Sequence, residues 1–184
     1  PVQYYNLLEG VKANHPDSWL CHDQLEADDL LGIMATNGRI TNPIICSIDK
    51  DMLTIPCWHY QWHHDIFPHE VTQEDADQFW LKQLLMGDST DGIQGMKGIG
   101  PKKAEAMIEK HLKDSQTIAD EAWKEAGVIP SIPFIAKYIY EKEGFSIDEF
   151  TKCLLTVTIW RKPFPPEMLE NELVKSIAKT IKSL

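Results

Sequence analysis

Apolar residues recur at helical spacing over residues 4–12 and 24–36; the second stretch carries Leu25, Leu30, Leu31, Ile33 and Met34, and Asn37-Gly38 supplies a stop. Pro43 then introduces Ile44-Ile45-Cys46-Ser47-Ile48, a β-branched run that reads as a short buried strand, and residues 55–62 form a second strand candidate. From Thr72 the period becomes helical again. An N-cap and an acidic first turn precede Phe79, Trp80, Leu84 and Leu85, which predicts a helix over 72–86. Helix, strand, helix-length segment and strand in this order predict an α/β layer architecture. Beyond Gly98 no strand pair is recognisable, one helix is predicted over 104–112, and breaks at 128–133 and 161–166 separate further helical blocks. The change of pattern falls near residues 70–95 and divides the chain into 1–78 and 79–184.

The chain has 184 residues, 43% of them hydrophobic, enough to bury the core of one ordinary domain or two small ones. No run approaches the roughly 18 apolar residues of a membrane span, and no basic-then-apolar leader opens the chain, so spanning and secreted readings are disfavoured. Cys21, Cys46, Cys57 and Cys153 are scattered and form no CxxC pair, as expected for reduced thiols in a cytoplasmic setting. The net charge of −10 argues at first against a nucleic-acid partner. Split by position, residues 1–95 carry four basic side chains against fifteen acidic ones, while residues 96–184 carry fourteen against thirteen. The acidity belongs to one half, and residues 96–113 hold five lysines with only Glu105 and Glu109.

Three acidic clusters stand out. Glu26-Ala27-Asp28-Asp29 begins a predicted helix, where carboxylates also simply suit the helix dipole. Asp49-Lys50-Asp51 follows the first strand, and in extended chain residues i and i+2 point to one side, at the sheet end where open α/β folds place their sites. Asp88-Ser89-Thr90-Asp91 lies in a Gly-flanked loop and, taken alone, reads first as an Asp-capped turn. Packed together, seven carboxylates repel and shift toward protonation unless a hard cation offsets them; oxygen-only ligands suit Mg²⁺ or Mn²⁺. Two such ions catalyse in-line attack on a phosphodiester. A solvated acidic face is the plainer alternative.

Gly95-Met96-Lys97-Gly98-Ile99-Gly100-Pro101-Lys102-Lys103 is the most specific stretch. Its glycines permit close backbone approach, Pro101 suits a first helical position, and the free N–H groups there, with Lys102 and Lys103, form a phosphate site. An ordinary interhelical turn is the alternative.

In order and spacing, these four motifs resemble the 5′ nuclease family of phage 5′-to-3′ exonucleases, flap endonucleases and the 5′ nuclease domain of bacterial DNA polymerase I. The resemblance implies a partial PIN-like three-layer α/β catalytic domain over 1–78 and an all-helical helix-three-turn-helix DNA-binding subdomain over 79–184. It implies that Glu26, Asp28 and Asp29 serve mainly a first Mg²⁺ or Mn²⁺ site, that Asp49 and Asp51 are catalytic ligands between two sites, and that Asp88 and Asp91 hold the second ion. It implies K⁺ on the backbone carbonyls of Gly95, Met96 and Ile99, and duplex DNA contacts at Gly98, Gly100, Pro101, Lys102 and Lys103. The expected partner is duplex DNA with a 5′ end or 5′ flap, the expected state a monomer without membrane contact, and the setting the cytoplasm of a bacterial or phage-infected cell. The third motif departs from the family's usual Asp-Asn-Ile-Pro-Gly, reading Asp91-Gly92-Ile93-Gln94-Gly95. The family's earlier metal-binding strand and basic arch have no counterpart before Glu26, so the chain is expected to be the C-terminal portion of a longer enzyme and weak or inactive by itself.

Two other functions fit the same residues: a non-catalytic duplex-DNA-binding module and an RNA-directed PIN-like nuclease. Trp58, Trp62 and Trp80 read as core. His63 and His64 point apart in a strand and lack further zinc ligands. Asp75 and Asp77 read as solvated first-turn residues.

Overall fold

The computed structural model describes residues 9–15, 25–111, 131–159 and 161. Residues 9–14 are helical, in agreement with the first predicted period as far as it is described. Helix α1 (Ala27–Thr36) follows the N-cap Glu26 and ends at Asn37, before Gly38 takes a φ of 77°. Strand β1 (Ile44–Cys46) pairs in parallel with β2 (Cys57–Tyr60), and β3 (His69–Val71) adds antiparallel to β2, giving a three-stranded sheet in the order β1-β2-β3. A 3-10 helix (Lys50–Thr54) fills the connection between the parallel strands. Helix α2 (Gln73–Met86) has the predicted Thr72 cap, closed by Asp75 as a capping box. A two-residue ribbon of β4 (Gly87–Asp88) and β5 (Ile93–Gln94) follows, then α3 (residues 101–111), α4 (Ile132–Lys142) and α5 (Ile147–Val157).

The α/β reading therefore holds in its coarse form, with several corrections. Strand β1 is not buried. Only Ile45 is covered, while Ile44 and Ile48 are half exposed, because the strand packs one face on a small cluster of Met52, Ile55 and Cys57. The second strand stops at Tyr60, and Trp58 and Trp62 are exposed rather than core; Trp80 alone of the three is buried. His63 and His64 lie in a turn, so the strand argument about their directions does not apply. Neither β3 nor the β4–β5 ribbon was foreseen, being too short to show a period of two. Pro133 sits in the first turn of α4 behind its Ser131 cap, not in a break. Leu112, residues 162–166, the division at 128–130 and Cys21 lie outside the described residues; Cys46, Cys57 and Cys153 are free thiols.

The larger core gathers Ile33 of α1 with Trp80, Leu81, Leu84 and Leu85 of α2, Ala104 and Ile108 of α3, Ile139 and Tyr140 of α4, and Phe150, Cys153 and Leu154 of α5. Buried polar groups pin α2 within it. The Tyr140 hydroxyl donates to the Leu84 carbonyl at 2.8 Å, and the Cys153 thiol approaches the same oxygen at 3.4 Å. Burial pushes that thiol up to about 11, so it stays protonated near neutrality. The Met96 N–H donates to the Leu85 carbonyl at 2.8 Å and the Gly87 N–H to that of Gln83, so carbonyls left over at the helix end are satisfied by the segment that follows. Asp77 is not a solvated residue. It pairs with the buried Arg161, whose guanidinium also donates to the Thr54 carbonyl at 2.6 Å and lies 4.9 Å from the Trp80 ring. Among the described residues no helix is long and apolar enough to cross a membrane.

Glu143, just after α4, accepts from Lys110 at 2.8 Å and from His111 at 3.0 Å, tying α4 to α3. The Lys110 hydrogen bond, then that of His111, holds its carboxyl below the usual range. A depressed carboxyl stabilises the fold fully above its unfolded value of about 4.3, and the contribution is lost as pH falls through the folded value. Thermal melts of Glu143→Gln should show a lower midpoint than wild type at pH 7 and a smaller further drop on acidification to pH 3. An identical pH profile for the two proteins counts against the clamp.

Candidate metal centre

Helix α2 delivers the site from its C-terminal end. Gly87 closes it at a φ of 70°, a left-handed conformation that favours glycine, and the chain turns at once into Asp88. Asp88 is buried; its Oδ1 accepts the Thr90 N–H at 2.8 Å, the Asp-capped turn expected from sequence, and its Oδ2 accepts from Lys50 Nζ at 2.7 Å. Asp51 arrives from the 3-10 helix that packs on α2. Oxygens of Asp51, Asp88 and Asp91 lie within 4.8 Å of one another, close to the spread that carboxylates need around one hard divalent cation.

Asp49 and Asp51 meet the site differently from the extended-chain expectation. The segment curls into a 3-10 turn, and the Asp49 carboxylate caps it by accepting the Asp51 N–H at 2.9 Å, so the two side chains do not share one side of an extended strand. Asp49 stays within electrostatic reach of both Asp51 and Asp28. In the first cluster, the Asp29 carboxylate accepts the Glu26 N–H at 3.4 Å in a capping box at the start of α1. Asp28 instead feels Asp49, Glu26 and Asp91, which brings it to the edge of the same field.

Protonation records the crowding. Partial burial and then repulsion from Asp49 raise the Asp51 carboxyl, and burial followed by repulsion from Asp49, Glu26 and Asp91 raises that of Asp28. Asp88 goes the other way: the Lys50 hydrogen bond holds it below the ordinary carboxylate range. Raised and lowered carboxyls side by side are what an anionic pocket with one partial counter-charge produces. The donor set is all oxygen, so Mg²⁺ or Mn²⁺ fits it better than a soft metal.

Gln83 is a site residue that sequence reasoning missed. It is buried in α2, its amide donates to Asp51 Oδ1 at 2.6 Å, and its Oε1 is enclosed without a hydrogen-bond partner. The available signal was a polar residue on the apolar side of a helix, between Leu81 and Leu84-Leu85.

The glycine stretch packs directly behind this centre. Gly95 crosses Gly87 so closely that a Cβ on either would stand 2.3 Å from the other's backbone nitrogen. Met96 is buried and its carbonyl accepts the Ile99 N–H at 3.1 Å; Gly98 has a φ of 79°. Helix α3 begins at Pro101, where Pro101, Lys102 and Lys103 are exposed, with the Lys103 ammonium on the Gly98 carbonyl at 3.0 Å. The turn thus offers an exposed helix start with the lysine-rich face outward.

No family model matches the chain. It is 28% identical over 130 residues to an exonuclease of Escherichia phage T7, which covers 69% of this chain and 43% of that protein. It is 34% identical over 103 residues to an exodeoxyribonuclease of Enterobacteria phage T3, covering 54% and 34%. A flap endonuclease Xni of Pseudoalteromonas translucida is 28% identical over 107 residues, covering 53% and 42%. The chain thus spans less than half the length of these curated relatives. In fold it is similar to a T5 5′-exonuclease mutant, with a TM-score of 0.56 and 17% identity over 98% of this chain and 75% of that one.

Proposed function

We propose, starting from the 5′ nuclease family that the exonuclease and flap-endonuclease relatives support for this chain, that it supplies a metal-holding and duplex-gripping part of an enzyme hydrolysing DNA phosphodiesters at 5′ ends or flaps. The observation that carries the reading is the convergence of Asp51 with Asp88 and Asp91. In this reading Asp51, Asp88 and Asp91 hold one divalent ion, and Asp28 and Asp49, with Glu26 and Asp29 beside them, serve a second. A Mg²⁺ or Mn²⁺ ion held by these carboxylates would supply water activation for in-line attack and charge compensation at the leaving oxygen. Gln83 fixes the direction of Asp51, and the buried Asp88 turn fixes the depth of the site. The exposed helix start at Pro101, with Lys102, Lys103 and the Gly98 and Gly100 backbone, holds duplex phosphates by N–H groups and charge, without base readout. The carbonyls of Gly95, Met96 and Ile99 are the proposed K⁺ ligands in a helix-three-turn-helix element, and the acting unit is a monomer.

The test is cleavage of 5′-flap DNA by the protein translated from its complete reading frame, with Mg²⁺ and with EDTA. Mg²⁺-dependent release of 5′ products supports the reading. Tight duplex binding without cleavage points to the DNA-binding module, and faster cleavage of a matched RNA flap points to an RNA enzyme. Gln83→Ala should lower Mn²⁺ affinity about tenfold in calorimetric titration, as loss of a hydrogen bond behind a ligand does. An unchanged affinity would remove Gln83 from the site.

A further inference from the structure

Lys50 stands between two of the metal-site aspartates in sequence and reaches a third in space. Its ammonium is 2.7 Å from Asp88 Oδ2; the side chain of Asp88 is 3% exposed and that of Lys50 56%. The other oxygen of Asp88 is taken by the Thr90 N–H at 2.8 Å, and one oxygen of Asp51 by Gln83 at 2.6 Å. A divalent ion therefore meets Asp88 with both oxygens already engaged, one of them by a full positive charge. A buried carboxylate without a partner is costly, so Lys50 has a clear role while the ion is absent. A lysine is also suited to leave: its charge is a compact, strongly hydrated point on a flexible stem, and here the stem is open to solvent.

We propose that Lys50 is an exchangeable internal cation, which neutralises Asp88 in the metal-free protein and is displaced into solvent when a divalent ion enters the Asp51–Asp88–Asp91 site. The inference rests on the metal reading of that site. Its consequence is that metal affinity is lowered by a competing charge belonging to the protein, and that the metal-free fold keeps its shape without the ion. Removing an ammonium that must first give up a charge-assisted hydrogen bond strengthens binding of the incoming ion; the gain is of the order of tenfold, the lower end of what a hydrogen bond to a charged group contributes.

The experiment is Mn²⁺ titration, by calorimetry and by loss of the free-ion EPR signal, on wild type, Lys50→Met, Lys50→Arg and Asp88→Asn, with thermal melts of each protein with and without Mn²⁺. Lys50→Met should bind Mn²⁺ about tenfold more tightly than wild type. Without metal it should melt about 5 °C lower, and saturating Mn²⁺ should restore most of that loss. Lys50→Arg should bind more weakly than wild type, because a guanidinium fork releases a carboxylate less readily. Should Lys50→Met fold poorly, Lys50→Arg with a circular dichroism spectrum matching wild type carries the comparison. Mn²⁺ binding by wild type but not by Asp88→Asn, with Lys50→Met unchanged or weakened, overturns the exchange and leaves the metal reading standing. Absence of Mn²⁺ binding by wild type overturns both.

Discussion

Asp51→Asn is expected to lower the cleavage rate on 5′-flap DNA by about three orders of magnitude, at the upper end of what loss of one preorganised electrostatic group costs. Asparagine is nearly isosteric, and the Gln83 amide that donates to Asp51 Oδ1 at 2.6 Å retains an oxygen to meet. The loss therefore falls on the charge. It falls at a position crowded by its own sign, since Asp49 and Asp88 both push the Asp51 carboxyl upward after burial has done so. Removing that charge relieves repulsion in the metal-free fold, so the thermal midpoint should hold or rise slightly while activity collapses. Single-turnover cleavage and a melt on the same preparation separate these effects. Cleavage within a few-fold of wild type would contradict a metal role for Asp51.

Gly95→Ala should cost at least about 4 kcal/mol in urea unfolding, a range reserved for substitutions with a specific structural fault. A Cβ there would stand 2.3 Å from the Gly87 nitrogen, 2.3 Å from the Met86 carbonyl carbon and 2.6 Å from the Leu85 carbonyl oxygen. All three are backbone atoms, so no rotamer change makes room; the β4–β5 ribbon must open or the end of α2 must unwind. Gly98→Ala is the control. Nothing lies within 4 Å of its Cβ, and only the φ of 79° opposes the change, a cost of about 1–2 kcal/mol. A Gly95→Ala protein within 1 kcal/mol of wild type, on the order of an ordinary surface change, would deny the crossing its structural role.

The helical elements were the most legible. In α2 the Thr72 cap, acidic first turn and Trp80, Leu84 and Leu85 face all appear as their spacing implies, because each signal acts within a few residues. The acidic motifs were legible as residue types and in order. Their geometry was not, since Asp49 and Asp51 were read along a strand and the chain makes a 3-10 turn capped by Asp49 itself. Burial of β1 is not legible from its composition, because hydrophobicity along three residues does not tell which face is covered. Arg161 meeting Asp77 and Thr54, and Gln83 meeting Asp51, join residues far apart in sequence, and no local period encodes such a pairing.

The last turn of α2 carries one further consequence. On one side its Gln83 amide aims Asp51; on another, Tyr140 and Cys153 both address the Leu84 carbonyl; at its tip Leu85 receives the Met96 N–H of the glycine turn. One rigid turn is thus the common reference for the acidic pocket and for the start of α3. In the proposed reading, a duplex held at Pro101 to Lys103 would sit at a fixed offset from the acidic pocket, and the incision point would be measured from the protein rather than from the DNA sequence.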